Sequence, residues 1–355
     1  MDTTNLIRDP DLLAKLEDAR GKPLFDMMVK SLIRMQEDRD RIAAAKAAKD
    51  ATLAAMPRDT RRRAVIREVL ENEPPTIQDV RHIHSVLAIC GLPHTKPKES
   101  VREFEKVQGN MSIDVSAGFV RDPNGNKVYT SLPYGPKARL ILMHLCSEAI
   151  RQKSATIEIA DSLTGFVRDM GFPDNGGPRG YLTAFKQQLN ALAGCTIKIS
   201  AWNGQRVKSK TIVPLEDVDL WLSDNPSQKS LWPSSVTFSP AMFESLQKHA
   251  LPVNAQAVRA FAGSSRKLDL YFWTGWRLYN INAPLQISWQ ALAKQFGQGF
   301  SRERDFKVQM AAEIAHLQEV FPKLPLKLDE NGLRLHPADP EVLALPAVKA
   351  SKPAK

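Results

Sequence analysis

The sequence predicts a mainly α-helical chain with small β-hairpins (α+β): two tandem winged-helix domains behind a helical N-terminal extension. Three observations predict it. One order of elements, helix, strand, helix, helix and hairpin, is spelled twice after residue 76. Asn203-Gly204 and Asn331-Gly332 each separate two runs of β-branched or apolar residues, the preferred signal of a tight hairpin. Asp26 to Ala55 contains no Gly or Pro and is rich in Ala, Lys, Arg and Asp, so a long helix should run up to Pro57.

The extension, residues 1–75, carries 15 basic and 14 acidic side chains and is nearly neutral. A second helix is expected from Thr60 to Glu71; its Arg61-Arg62-Arg63 could touch phosphate, although such a run more often forms a solvated face. Pro74-Pro75 closes the extension. The first domain, residues 76–225, opens with Thr76-Ile-Gln-Asp79, which reads as a helix start, with Gly91 as its stop. Pro136 suits a first helical turn, and the apolar run to Ile150 makes a buried helix. A strand from Thr156 to Ala160 follows, then a helix capped by Asp161 or Ser162 and stopped at Gly171. The loop from Pro173 to Pro178 leads into a third helix, Arg179 to Leu192. A hairpin made of Thr196–Trp202 and Arg206–Val213 completes the unit as its wing.

The second domain, residues 226–340, repeats this sense. Apolar helices are expected at Pro240–Ala250, Asn254–Ala262 and Arg266–Tyr279, and Ile287-Ser288 leads into a helix ending near Phe296-Gly297. A long helix should open at Ser301 and reach Phe321, with a second wing at Leu326–Leu328 and Leu333–Leu335. The aromatic run Leu270 to Tyr279 could stack bases, but at helical spacing it reads as core. Residues 341–355 mix Pro, Ala and Lys without periodicity and read as a flexible basic tail.

The chain has 355 residues, with 49 Lys and Arg against 39 acidic residues, a formal net charge of +10, which favours a polyanionic partner. Three cysteines, Cys90, Cys146 and Cys195, lie far apart in apolar segments, so neither a disulfide framework nor a CxxC metal clamp is available. The polar start carries no signal peptide pattern and no apolar run is long enough to span a bilayer. A soluble protein of the reducing cytoplasm is expected.

At 100° per residue, Leu182, Phe185, Leu189 and Leu192 of the third helix form one stripe and Arg179, Thr183, Lys186, Gln187 and Asn190 another. Arg and Lys can address guanine O6 and N7, and Asn and Gln can pair with adenine, so the polar stripe has the chemistry of major-groove readout. An amphipathic surface helix could carry the same stripe. The hairpin behind it bears Lys198, Arg206, Lys208 and Lys210 and no acidic residue, which fits contact with backbone phosphate. In the later long helix Phe306, Met310, Ile314, Leu317 and Phe321 should point inward. Arg302, Arg304 and Lys307 could then meet phosphates or base edges, and Val308 and Ala311 thymine methyls.

The chain resembles the plasmid-encoded RepA-type replication initiators. The resemblance runs from about Thr76 to Pro340. It is carried by Leu132-Pro-Tyr-Gly-Pro-Lys-Ala-Arg-Leu140 with Ser147-Glu-Ala149, by Gly176-Gly177-Pro-Arg-Gly180 with Gln188-Leu189, and by Leu268-Asp-Leu-Tyr271, Ile287-Ser-Trp289 and Gln295-Phe-Gly297. The resemblance implies binding to repeated double-stranded origin sequences (iterons), local strand opening, and recruitment of a host initiator and the replicative helicase. It also implies a monomer–dimer equilibrium in which dimers repress the initiator's own promoter. A dimeric transcriptional repressor without origin function shares the same DNA contacts.

Catalysis is not expected, and no cofactor or metal is called for. His82-Ile83-His84 spells the metal motif of origin nickases, but on the helix expected here the two rings diverge by about 200°. There Ile77, Val80, His84 and Leu87 would share a side, making His84 a semi-buried packing residue. No G-x-x-x-x-G-K-[ST] phosphate loop occurs.

Overall fold

The computed structural model describes residues 6–122, 124–159, 162–173, 180–218 and 235–346. The chain divides into two compact units, Met1–Arg61 and Arg62–Lys355. In the first, α1 (Pro10–Ala19) and α2 (Phe25–Ala55) close a small core of Ile7, Leu12, Leu16, Val29 and Leu32. The buried Gln36 amide joins them: its oxygen accepts from the Arg8 and Asp9 backbone N–H groups and its nitrogen donates to Asp9 and Asp40. Arg39 grips Asp9 and Asp11, and its guanidinium holds the Asp11 carboxyl down at about 2. From Arg41 to Thr52 every residue of α2 is exposed.

The second unit opens at Arg62, within α3 (Arg58–Asn72), and the buried Arg63 of this helix pairs with Glu319 at 2.5 Å. The expected helix over 76–91 is not formed as one piece. A Thr76/Asp79 capping box closes a single 3₁₀ turn, Ile77–Asp79; the chain then extends as β1 (Val80–His84) before α4 (Ser85–Cys90), which ends at Gly91 with φ 71°. Local signals at both ends were read correctly, but a ladder with a distant strand wins the middle.

Four strands that the sequence reading passed over follow: β2 (Glu103–Gln108), β3 (Met111–Ser116), β4 (Phe119–Arg121) and β5 (Lys127–Tyr129). Then come α5 (Gly135–Gln152), β6 (Thr156–Glu158), α6 (Ser162–Asp169) and α7 (Tyr181–Gly194). The expected hairpin forms from β7 (Thr196–Trp202) and β8 (Val207–Ile212), with Gly204 at φ 88°. After β9 (Leu215–Val218) and β10 (Ser235–Phe238) the chain enters α8 (Pro240–His249), β11 (Ala250–Asn254), α9 (Ala255–Phe261) and α10 (Ser265–Asn280). It ends with β12 (Leu285–Ser288), α11 (Trp289–Phe296), α12 (Glu303–Val320), β13 (Leu326–Asp329) and β14 (Gly332–Leu335).

The duplication is visible in strand order. The sheet β6-β10-β9 and the sheet β12-β14-β13 are both antiparallel, and each places the third strand of its unit between the first and second. Each unit is preceded by a strand running straight into a helix, β1–α4 and β11–α9. In each case the last strand residue caps the helix: His84 accepts from Val86 N–H, and Asn254 accepts from the Gln256 and Ala257 N–H groups. β1 and β11 pair with each other, Val80 opposite Asn254 and His84 opposite Ala250.

Within this order the hairpin expected as the first wing has a different place. β7 and β8 belong to the four-stranded sheet β2-β3-β7-β8, while the strands equivalent to the second wing are β9 and β10. The 225/226 boundary falls in the undescribed stretch 219–234, and β10, beyond it, completes the sheet of the first repeat. Residues of both repeats share one buried cluster. The expected tail also packs at its start: Leu343 and Leu345 are buried and Asn254 donates to Ala344 O. Among the described residues no helix is long and apolar enough to cross a membrane.

At the centre α5 meets α10 through a buried ion pair. Arg139 donates to both oxygens of Asp269, at 2.5 and 2.7 Å, and also to the carbonyls of Leu92, Pro93 and Gly135. His94 stands beside this pair, and two further imidazoles, His84 and His144, are buried elsewhere in the unit; burial pushes each of the three down to about 4. An imidazole held neutral by the fold but free to charge near pH 6.5 when unfolded adds stability above pH 6.5, and this is lost as pH falls toward 4. The melting temperature should therefore drop steadily between pH 6.5 and 4.5. A melting temperature that is flat over that range contradicts this coupling.

Candidate nucleic-acid interface

In the first repeat α7 keeps the phase expected of it. Phe185, Leu189 and Leu192 are buried; Thr183, Lys186 and Asn190 are half-buried and Gln187 is exposed. Arg179 lies outside the described residues. The outer face is not open all round: Gln187 and Asn190 line a cleft of about 460 Å³ walled by residues 96–102, β4–β5 and the stretch 128–134. Inside, the Gln188 amide oxygen accepts from the Tyr134 N–H at 2.8 Å and fixes the helix against the start of α5.

The basic hairpin does not present one face. Side chains alternate along a strand, so Lys208 and Lys210 of β8 share the side of Ile197, Ile199 and Ile212, whereas Lys198 of β7 points to the opposite side. Lys198 stands directly opposite Asp114 of β3, and Glu105 of β2 is opposite Asp114 on that face. The hairpin alone lacks acidic residues; its sheet partners supply them. Lys208 and Lys210 border a separate cavity of about 390 Å³ with Glu244, Ser245, Lys248 and His249 of α8, and Lys210 Nζ donates to Ala241 O at 3.3 Å. Arg206 is exposed in the turn, where its backbone N–H donates to Asn203 Oδ1 at 2.9 Å.

The second repeat gives the more open helix. Phe306, Met310, Ile314 and Leu317 of α12 are buried as expected, as is Phe321 just beyond it, and Arg304, Val308 and Ala311 are exposed, Val308 by 66%. Arg302, not Ser301, occupies the N-cap, without a side-chain cap bond. Lys307 is half-buried, bound to Glu303 at 2.7 Å and lying 5.4 Å over the Trp289 ring. Lys307 is thus partly committed, while Arg302 and Arg304 have no carboxylate partner among the described residues. The β13–β14 turn is held by Asp329 Oδ1, which accepts from the Asn331 and Gly332 N–H groups. The aromatic run of α10 is core: Tyr271, Phe272 and Trp273 are buried.

The His82/His84 argument changes with β1. Two residues apart on a strand, the side chains share a face rather than diverging. His84 is occupied all the same: Nδ1 accepts from Val86 N–H at 3.2 Å and Nε2 lies 2.9 Å from Ser245 Oγ. Among the described residues no three His, Cys, Asp or Glu side chains are grouped to hold a metal.

The fold and this site define an α+β chain with a duplicated helix–strand–helix–helix–strand–strand unit, whose last helix is open to solvent in the second copy and borders a cleft in the first. Residues 132–291 match the family described as plasmid encoded RepA protein, the family that the sequence blocks resemble. No curated protein matches the chain. Two solved structures resemble it at 12% identity. The selenomethionine derivative of domains 2 and 3 of RctB covers 68% of this chain and 87% of that one, with a TM-score of 0.44; RctB domains 2-3 cover 66% and 83%, with a TM-score of 0.42.

Proposed function

We propose that the chain is a plasmid replication initiator that binds repeated double-stranded sequences at an origin. In this reading the two repeats are winged-helix units, α7 and α12 enter successive major grooves, and bound copies promote strand opening and recruit a host initiator and the helicase. The carrying observation is the duplicated order with its shared first-third-second sheet, joined into one core by the β1–β11 ladder. Two reading helices fixed in one body suit a site repeated along a duplex. The RepA match supports the plasmid setting.

Footprinting on DNA flanking the chain's own gene tests this reading. Several evenly spaced protected repeats are expected; one palindrome near the promoter would make the protein a plain repressor. The reading assigns binding and no catalysis, supported by the engagement of both His84 nitrogens. Incubation with divalent metal and supercoiled origin plasmid should leave the plasmid unnicked. Lys208 and Lys210 are assigned to backbone phosphates: the double alanine variant should make log affinity against log salt shallower by about 2. An unchanged slope removes β8 from the contacts.

A further inference from the structure

The β4–β5 hairpin carries chemistry that neither the sequence reading nor the family match assigns. Phe119 pairs with Tyr129 and Arg121 with Lys127, so two aromatics and two cations share one face of the ribbon, and Val120 and Val128 on the other face line the 460 Å³ cleft. The ribbon is braced. Asp122 accepts from the Asn124 and Asn126 N–H groups and from the Asn126 amide, and Arg121 donates to Gly125 O at 2.6 Å. At its base Arg102 donates to Thr130 O, Ala117 O and Gly118 O and lies 5.4 Å over the Tyr129 ring.

The cleft is electropositive and unsatisfied. Lys96 and Lys98 stand exposed on its far wall, and neither they nor Arg121 and Lys127 have a carboxylate partner among the described residues. Glu99 is the one carboxylate among the described lining residues. Tyr129 is 70% exposed although Arg102 lies over its ring and Phe119 meets it edge-on at 6.4 Å, so much of the ring is open to a further partner. Lys96 and Lys98 in the groove, Arg121 and Lys127 on the outer face of the ribbon, and the exposed Tyr129 ring offer a sugar–phosphate strand cations for its phosphates and a surface to pack on.

We infer that this cleft and the outer face of its ribbon bind a DNA phosphodiester backbone alongside α7, with Lys96 and Lys98 meeting phosphates in the cleft, Arg121 and Lys127 meeting them over the outer face of the ribbon, and Tyr129 packing on a sugar or base. The inference rests on the DNA-binding reading above and adds a contact apart from Lys208 and Lys210. The backbone could belong to the recognised duplex or to a strand released from it; the chemistry is shared.

The test uses the full chain and three fluorescent probes: a duplex carrying the protected repeat, a random duplex, and either strand alone. Arg121→Ala with Lys127→Ala is compared with wild type over a salt series, and Lys96→Ala with Lys98→Ala likewise; all four residues are exposed, so unchanged thermal melts are expected. Each double variant should lose roughly 10-fold in affinity, with a salt slope shallower by about 2 on duplex. Losses on both duplexes place the strand in the recognised site; loss confined to the single strand places the cleft on opened DNA and supports the assignment equally. Wild-type affinity and slope on all probes would overturn it. If wild-type protein fails to prefer the repeat over the random duplex, the initiator reading fails instead, which separates the two failures.

Discussion

Arg139→Ala should lower the melting temperature by roughly 10 °C. The guanidinium is almost wholly buried and makes five hydrogen bonds, two to Asp269 and three to main-chain carbonyls. Removing it leaves the Asp269 carboxylate buried beside a His94 ring that burial keeps neutral, 3.7 Å away, and orphans the three carbonyls. Breaking a buried pair on one side costs about 3–5 kcal/mol, and a domain of this size gives up about 2–4 °C per kcal/mol. Asp269→Asn should cost less, because the remaining amide oxygen can still accept and Arg139 keeps its carbonyls. Differential scanning calorimetry on the two variants checks the order; equal losses would mean that the carbonyl bonds contribute nothing beyond the pair. Gly91 is tied to the same spot. A Cβ there would lie 2.7 Å from Asp269 Oδ2, and φ 71° disfavours any side chain.

Val308→Glu with Ala311→Glu on α12 should abolish sequence-specific binding, a loss of about 100-fold or more, while leaving stability intact. Both positions are exposed on the outward stripe of α12, so the fold has no stake in them. A carboxylate pressed toward base edges and phosphates forfeits contacts worth about 1–3 kcal/mol each and adds repulsion. Val308→Thr with Ala311→Ser, which keep a carbon group at each position and add no charge, should retain most of the affinity. Electrophoretic mobility shifts on the repeat duplex measure it; a double Glu variant that binds as tightly as wild type would take α12 out of the groove.

What was legible in the sequence follows the reach of the signals. Helical phase reported both outward faces, because Phe306, Met310, Ile314 and Leu317 recur at the helical period and bury together whatever they pack on. Asn203-Gly204 and Asn331-Gly332 gave their hairpins because a turn is a local matter. Which sheet a hairpin joins is decided elsewhere. β2 reads Glu-Phe-Glu-Lys-Val-Gln, an edge strand with only two apolar residues, and its partner β3 claims β7 from far along the chain. β1 was misread for the same reason: Val80 to His84 spells a passable helix, and only the ladder with β11 extends it. The β4–β5 ribbon had a usable sign in Asn124-Gly125, between short runs at Phe119 and Lys127.

The β1–β11 ladder also sets a schedule for synthesis. The first repeat is complete in sequence once β10 has been made, yet its opening strand cannot be paired until Ala250 to Asn254 leave the ribosome. Until then β1 presents an unmatched edge, and α5 carries the Arg139 charge toward an aspartate not yet translated. A nascent chain paused before residue 250 is a natural substrate for chaperones, and a separately expressed first repeat should aggregate rather than fold.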